Sequence, residues 1–267
     1  RFLPIVSVNF ETMCDLIEKF IKQELQKSKR EKVVIGLSGG LDSSVTACLA
    51  VRALSNKKVL TLILPDLPIT PNSDVNDAIE LARSLDIEFK IMNLNDIKSE
   101  FLVNLPRNQY AEGNLTARIR MCILYYYSFI HNGLVLGTSD KSELVLGYYT
   151  KFGDGAADLF PLGDLYKTQV RELAKYLELP LSIRQKESSP RLWKGHTAEE
   201  ELGANYDETD IILKKLESAG LKDTGDELDS HKISKSKIAG IEQTIKRNAH
   251  KLRPLKVCSM TANSNPC

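Results

Sequence analysis

The sequence contains no run of about eighteen consecutive apolar residues, so no membrane-spanning helix is expected. It also has little excess charge, with 36 Lys and Arg against 35 Asp and Glu and a formal net charge of +1. No global field favours nucleic acid or a membrane surface, and neither is expected as a partner. The N-terminus lacks the basic stretch and long apolar run that are typical of a secretion signal.

Cysteine is scarce and widely spaced. The five cysteines include no Cys-x-x-Cys pair, which argues against a zinc site or a disulfide framework. Cys14, Cys48 and Cys122 fall in apolar helical patterns, where buried free thiols are expected. These features fit a reducing, cytoplasmic setting.

Helix-like and strand-like spacing of apolar residues alternates through about the first half of the chain. The spacing predicts helices over 11–27, 43–54, 74–85 and 114–130, and buried strands over 33–37, 59–64, 89–94 and 134–136. Strands that alternate with helices form βαβ units. The expected fold class is therefore α/β: a Rossmann-like, doubly wound parallel sheet with flanking helices and a mostly helical C-terminal part.

The C-terminal part has helical spacing over 165–177, 207–218 and 233–251. We expect a single domain over 1–267, made of an N-terminal helix (1–30), a parallel-sheet nucleotide-binding core (31–165), a helical part (166–257) and a polar tail (258–267). Two loops rich in Gly, Ser and Asp, 147–164 and 186–198, are long enough to carry function.

The sharpest local signal is the run Ser38-Gly39-Gly40-Leu41-Asp42-Ser43-Ser44, between a predicted strand and a predicted helix. There, backbone N–H groups and a helix N-terminus converge on an anion, and glycine lets phosphate oxygens approach. The run is neither a Walker loop nor a dinucleotide fingerprint. A plain glycine turn capped by Ser43 would leave Asp42 unexplained. A carboxylate beside phosphates needs a cation between them, so Asp42 is expected to bind magnesium.

The SGGLDS run resembles the SGGxDS loop of the ATP pyrophosphatases, which cleave ATP between its α and β phosphates and pass AMP to a substrate oxygen. Further runs are similar to those of NAD synthetases: GTSDKSE from Gly137, TKFGDGAADLFPL from Thr150 and LYKTQV from Leu165. Two more are GNLTARIRM from Gly113 and HKxRP from His250. The resemblance to NAD synthetases extends from about Val33 to Pro254.

This resemblance implies ATP-dependent amidation of deamido-NAD with ammonia. The nicotinate carboxylate would attack the α phosphorus to give an acyl-adenylate and pyrophosphate, and ammonia would then displace AMP to give NAD. The resemblance also implies Mg²⁺ as cofactor and a homodimer with the substrate site near the interface. Free ammonia is the expected nitrogen donor, because the synthetase motifs leave no room for an amidase domain. Asp140 and Asp158 both stay open as acceptors of the ammonium proton.

The resemblance also assigns residues. It assigns ATP binding to Gly36, Leu37, Ser38, Gly39, Gly40, Leu41, Asp42, Ser43, Thr138, Lys167 and Ser189. The resemblance assigns deamido-NAD binding to Arg118, Lys151, Asp158, His250 and Lys251. Cationic side chains suit the pyrophosphate and carboxylate of this ligand, and Asp158 could instead contact a ribose hydroxyl or the ring cation. Asp42 and Glu143 would be the metal ligands and, with Lys167, the catalytic set. Taken alone, Lys167 is typical of a solvated helix lysine, and His250 and Lys251 of a basic helix C-terminus.

One segment departs from the family pattern. Where NAD synthetases have Pro-Ser/Thr-Ala before Leu, this chain has Ser188-Ser189-Pro190-Arg191-Leu192-Trp193, so the resemblance leaves the path of this loop open.

Two rival functions remain. Another ATP pyrophosphatase, tRNA-modifying or similar to GMP synthetase, is the first; a tRNA-modifying enzyme would want a cysteine pair or a strongly basic face, and neither is evident. A non-catalytic ATP-binding module is the second, and the paired acids Asp42 and Glu143 argue against it.

Overall fold

The computed structural model of the protein describes residues 9–67, 69–219 and 233–252. Strands and helices alternate through its first half, and helices dominate the rest. In chain order the elements are α1 Phe10–Lys27, β1 Lys32–Gly36, α2 Leu41–Leu54, β2 Val59–Ile63, α3 Asn72–Ser84, β3 Glu88–Ile91, α4 Asn95–Leu102, α5 Gln109–Ile130, β4 Gly133–Leu136, α6 Lys141–Leu146, α7 Lys167–Tyr176, α8 Leu181–Arg184, α9 Ala198–Leu202, α10 Tyr206–Ala219 and α11 Lys235–Leu252.

The four strands form one parallel sheet in the order β3-β2-β1-β4. Val33 on β1 lies beside Val59 on β2 and beside Leu134 on β4. The chain therefore moves outward through β2 and β3, then returns to the other side of β1. Parallel sheets bind ligands where the strand order reverses in this way, at the carboxyl ends of the strands. Here that point lies between β1 and β4.

Helices cover both faces of the sheet. Val33 and Ile35 join the apolar cluster that includes α1, α2, α3 and α7, whereas Val34 joins a second cluster with Leu60 and α5. This division follows from the strand, because successive side chains point to opposite faces. The predicted α/β class with a doubly wound parallel sheet is confirmed.

The N-terminal helix α1 belongs to the core. The Asn9 side chain caps it by accepting a hydrogen bond from the Thr12 N–H at 2.7 Å. Its buried stripe packs against α2 and consists of Met13, Cys14, Ile17, Ile21 and Leu25. Leu16 and Phe20 share the three- and four-residue spacing of these residues but are 59% and 38% exposed. The buried stripe is thus narrower than the apolar pattern of the sequence indicates.

The C-terminal helices surround an apolar cluster of their own, which includes Leu146, Tyr166, Tyr206, Ile212 and Ile241. This confirms the predicted helical character of the C-terminal part. The proposed tail 258–267, and the Arg253 and Pro254 of the C-terminal motif, lie outside the described residues.

Several boundaries differ from prediction. Helix α2 begins at Leu41, with Gly40 rather than Ser43 at the N-cap position. Strand β3 ends at Ile91, and Leu94 instead lies buried just before α4. Helices α4, α6, α8 and α9 were not predicted, because each is too short to show a clear apolar period.

The cysteine and membrane expectations can also be compared with the structure. Cys14 and Cys48 are buried free thiols, but Cys122 is exposed because it lies on the outer side of α5. Across the described ranges, none of the helices is both long enough and apolar enough to cross a membrane.

Candidate active site

The glycine loop, residues 38–44, follows β1 at the reversal point of the sheet. Gly39 has a φ of +74°, and a Cβ there would lie 2.0 Å from the Asp74 carbonyl oxygen, so only glycine fits. The loop is held by its own serines. The Ser38 N–H donates to Ser43 Oγ at 3.2 Å, and Ser44 Oγ donates to the Gly40 carbonyl at 2.7 Å. Hydrogen bonds within the loop therefore contribute to its shape.

Three carboxylates meet one lysine beside this loop. Lys167 Nζ lies 2.8 Å from Asp42 Oδ2, 2.9 Å from Glu143 Oε1 and 3.0 Å from Asp140 Oδ2. The Lys167 side chain is fully buried. Burial lowers the pKa of this lysine, but Asp140, Asp42 and Glu143 outweigh it and raise that pKa well above its ordinary value. Burial raises the pKa values of Asp140 and Glu143, opposed by Lys167.

Local chain geometry places the acids. Asp140 and Glu143 form a capping box at the start of α6, in which the Glu143 N–H donates to Asp140 Oδ1 at 2.9 Å. Lys167 is the first residue of α7, and its N–H donates to Ser142 Oγ at 3.0 Å. Two helix N-termini therefore bring Asp140, Glu143 and Lys167 together, next to Asp42 in the first turn of α2.

A cavity of about 390 Å³ opens over the glycine loop and the carboxyl ends of β1, β2 and β4. Among the predicted site residues, it is lined by Gly36, Leu37, Ser38, Gly40, Leu41, Asp42, Ser43, Thr138, Glu143, Ser189 and Lys251. Gly39, Lys167, Arg118, Lys151, Asp158 and His250 are not among its lining residues. Lys167 lies behind the cavity wall, among the carboxylates.

Four predicted substrate residues lie together in a basic patch. Arg118 donates to the Lys151 carbonyl at 3.3 Å, and Lys151 Nζ donates to the His250 carbonyl at 3.3 Å. Lys251 Nζ donates to the carbonyls of Gly147 and Tyr149 at 2.7 and 2.8 Å. The structure thus joins the loop 147–164 to α11 through these residues.

Asp158 lies elsewhere. Its side chain accepts from the Val135 N–H at 2.7 Å and from the Tyr125 hydroxyl at 3.4 Å. The chain beside it extends the sheet through a bridge between Leu136 and Leu159. In this arrangement Asp158 ties the loop 147–164 to the open edge of β4.

The loop 186–198 covers the cavity. The Trp193 ring contacts the Tyr110 ring edge-on, with centroids 4.7 Å apart, and stacks on His196 at 3.6 Å. A Cβ on Gly113 would lie 2.6 Å from Leu192 Cβ, so the loop packs directly on α5. This is the path that the sequence left open.

Ser189 sits inside this loop. Its hydroxyl donates to the His196 carbonyl and accepts from the Arg191 N–H at 3.1 Å. Arg191 Nε in turn donates to Asp74 Oδ2 at 3.0 Å. The arginine that departs from the family pattern therefore anchors the loop to α3.

Sequence reasoning missed several contributors to the site. Asp140 was considered only as a proton acceptor, although the spacing Asp140-x-x-Glu143 matches a capping box. Nothing in the sequence singled out Asp74 or Lys186. Tyr148 donates to Glu201 Oε2 at 2.7 Å, and its hydroxyl lies 3.4 Å from His196 Nε2, so it links the loop 147–164 to α9 and to the loop 186–198.

The acids suit a magnesium ion by donor type. Asp42 Oδ1 is buried and has no hydrogen-bond partner, and one ammonium faces three carboxylates. Carboxylate oxygens with water and phosphate are the usual surroundings of magnesium. Within the described part of the chain, no cluster of three or more His, Cys, Asp or Glu side chains is arranged to hold a metal alone.

A parallel α/β sheet with a glycine loop and an acidic cluster at its reversal point defines a nucleotide-binding α/β protein. Comparison with known proteins gives the family. The NAD synthase family model matches residues 13–255, and the chain belongs to this family.

Several NAD and NMN synthetases are similar to this chain over most of its length. The NH3-dependent NAD synthetase of Archaeoglobus fulgidus is 44% identical over 245 residues, which are 91% of this chain and 95% of that protein. The structure of NMN synthetase from Francisella tularensis has a TM-score of 0.84 at 34% identity and covers 95% of this chain and 100% of its own. The NH3-dependent NAD synthetase of Campylobacter jejuni, in complex with nitrate, has a TM-score of 0.80 at 33% identity and covers 94% and 100%.

Proposed function

We propose that this protein amidates deamido-NAD with ammonia, using ATP and releasing NAD, AMP and pyrophosphate. One observation carries the proposal. Asp42 and Glu143 converge on Lys167 at the floor of a cavity that also contains the glycine loop, at the reversal point of the sheet. Membership of the NAD synthase family supports this substrate chemistry over other ATP pyrophosphatase reactions and over a non-catalytic module.

The residues suggest how the first step is stabilised. The glycine loop offers backbone N–H groups and the N-terminus of α2 to the phosphates of ATP. The nicotinate carboxylate attacks the α phosphorus in line, and pyrophosphate leaves with its electron pair. Lys167 stays protonated, and holds Asp42 and Glu143 at fixed separations. Catalysis here is mostly positioning and electrostatics.

Asp42 and Glu143 would hold a magnesium ion, which when bound neutralises the charge of the phosphates. In the second step ammonia attacks the acyl carbon of the mixed anhydride, AMP departs with the electron pair of the broken C–O bond, and the attacking nitrogen loses one proton to give the amide. The loop 186–198 lies over this cavity, which would limit the access of water to the acyl-adenylate.

The basic patch is our proposed site for part of deamido-NAD. Arg118, Lys151 and His250 lie together, and Lys251 reaches the cavity. Their charges match the pyrophosphate and carboxylate groups of this substrate. We also propose that Asp158 contacts deamido-NAD through its exposed side, in addition to its hydrogen bonds with Val135 and Tyr125.

We further propose a homodimer that buries the C-terminal half of α5. Tyr126, Phe129 and Ile130 are 67%, 87% and 54% exposed on this helix, which also carries Arg118. A large exposed apolar patch of this kind is typical of an interface. Light scattering after size exclusion should give twice the mass of one chain, and Phe129→Asp should give single chains. A monomeric wild type would contradict the dimer.

The activity is tested by mixing the protein with ATP, magnesium, ammonium and deamido-NAD and measuring NAD, AMP and pyrophosphate. Equal amounts of all three, with glutamine unable to replace ammonium, are expected. Nicotinate mononucleotide is the matched alternative acceptor, because one similar structure is an NMN synthetase. Preference for that acceptor would keep the chemistry and change the substrate. ATP binding without cleavage under any condition would favour a binding module.

A further inference from the structure

Lys186 links the covering loop to the glycine loop. Its Nζ donates to the Gly39 carbonyl at 2.7 Å and to Asp77 Oδ2 at 2.6 Å. The same nitrogen lies 2.9 Å from Asp74 Oδ1. Its side chain is only 14% exposed, as is that of Asp77. A lysine from the C-terminal half of the chain is thus fixed against the turn that follows β1.

The contact with Gly39 matters because of the peptide it holds. The peptide between Gly39 and Gly40 is flanked by glycine on both sides, so rotating this peptide plane meets little steric resistance. Its carbonyl and its N–H point in opposite directions. With the carbonyl on Lys186, the Gly40 N–H points the other way and donates to Ser38 Oγ at 3.3 Å. Ser38 and Gly40 both line the cavity.

The reversed peptide would behave oppositely. It would turn a carbonyl oxygen towards the place where phosphates bind, and this partial negative charge would repel them. An anion-binding glycine loop therefore needs something outside the loop to select one peptide orientation. The loop's own serines bond to Ser38 N–H and to the Gly40 carbonyl, whereas the Gly39 carbonyl accepts from Lys186.

The ammonium of Lys186 is engaged by protein groups. Of its three N–H donors, two donate to the Gly39 carbonyl and to Asp77, and the nitrogen also forms an ion pair with Asp74 at 2.9 Å. Asp77 is itself held by Ser182 Oγ at 2.9 Å. The arrangement favours a role exerted through the peptide over direct contact with phosphate.

We propose that Lys186 is a positioning residue for ATP, which fixes the Gly39–Gly40 peptide in its anion-binding orientation before the nucleotide arrives. This inference rests on the proposed function, because it assigns the glycine loop to ATP. In the absence of Lys186, only a fraction of the free protein has the competent peptide orientation. ATP then selects that fraction, and its apparent dissociation constant rises by the inverse of the fraction.

The test compares Lys186→Met with Lys186→Arg. For the Met variant we expect the dissociation constants of ATP and of inorganic pyrophosphate, measured by calorimetry, to rise together by about tenfold or more. The kcat at saturating ATP and the KM for deamido-NAD should stay within about threefold. The Arg variant retains a cationic donor and should restore most of the affinity. Asp77→Asn, which keeps the Gly39 contact, is the matched control and should bind ATP nearly as wild type does.

Unchanged ATP affinity in the Met variant would overturn the proposal. So would an equal rise in the KM for deamido-NAD, because general loosening of the loop 186–198 would produce it. If the Met variant does not fold, the Arg variant decides, since loss of ATP affinity in that folded variant contradicts the role. Failure of the proposed function looks different: the wild type itself would then form no NAD.

Discussion

Lys167 and Asp42 are 125 positions apart in sequence, yet a 2.8 Å hydrogen bond joins the Lys167 ammonium to the Asp42 carboxylate. Each residue lies in the first turn of its helix, α7 and α2, so two helix N-termini face one another across the acid cluster. Negative charge is stabilised at a helix N-terminus, and Asp42 benefits from this. Lys167 is placed against the dipole of its own helix, and the three carboxylates stabilise it there.

Removing either proposed metal ligand should abolish adenylation. Asp42→Asn and Glu143→Gln keep the size of each side chain but remove a negative charge. We expect magnesium-dependent pyrophosphate release to fall at least about a hundredfold, since even outer partners of metal ligands are worth 10- to 100-fold. Calorimetric titration of magnesium in the presence of ATP should show the same loss. Near-normal turnover with an unchanged melting temperature would remove that residue from the metal site.

Lys167 should contribute to folding as well as to activity. Lys167→Met leaves three buried or half-buried carboxylates uncompensated. Removing one partner of a buried ion pair costs about 3–5 kcal/mol. We expect the free energy of unfolding, measured by urea denaturation, to fall by this amount. Adding Asp140→Asn keeps the helix cap but removes one charge, and should return about 1 kcal/mol. Equal stability of the single and double variants would mean that charge repulsion is not the cause.

We expect a side chain at position 113 to disturb the loop 186–198, which packs on Gly113, more than helix α5 itself. In Gly113→Ala the new methyl meets Leu192 Cβ, carbonyl oxygen and Cα at 2.6–3.3 Å, which pushes the loop 186–198 outward. Displacement of about an ångström costs tenfold or more in an active site, so kcat/KM should fall by about that factor. Gly240→Ala in α11 meets nothing within 4 Å and is the matched control. It should keep normal kinetics and add about 0.5–1 kcal/mol of stability.

Trp193 should report on ligand binding. It is the sole tryptophan of the sequence, and its ring lies at the cavity between Tyr110 and His196. Titration with ATP should change its emission and saturate at the same concentration as calorimetry. Trp193→Phe should remove the signal while the protein still melts cooperatively. Constant emission despite calorimetric binding would show that ATP leaves this loop undisturbed.

The fold was largely predictable from residue patterns. Strands such as 59–64 are continuous apolar runs because both faces of a parallel sheet are covered, and β2 is buried at every position. Long amphipathic helices such as α1 and α10 were also visible. Short helices were not predicted. Helix α6, for example, has six residues, which is fewer than two turns and too short to show an apolar period. The strand order was not predictable, because it depends on which helices pack on which face.

Residue spacing alone predicted the site only where residues are local in sequence; the grouping of Asp42, Glu143 and Lys167 came from the resemblance to NAD synthetases. The glycine loop and Asp42 follow a strand directly, so their place at its carboxyl end was expected. The ion pairs are different. Lys186 with Gly39 and Arg191 with Asp74 join positions 147 and 117 apart, and no spacing rule connects them. The long loop that carries Lys186 and Arg191 has no apolar periodicity from which its path could be predicted.

The order of the contacts along the chain also sets an order of assembly. Asp42, Asp140 and Glu143 leave the ribosome before Lys167, and Gly39 leaves well before Lys186. A nascent chain can therefore complete the sheet while its nucleotide loop still lacks both neutralising lysines. Contacts of such long separation form late, because loop closure must be achieved first. On the role proposed for Lys186, the glycine loop of a nascent chain therefore reaches its full nucleotide affinity only after synthesis has passed residue 186 and this contact has formed.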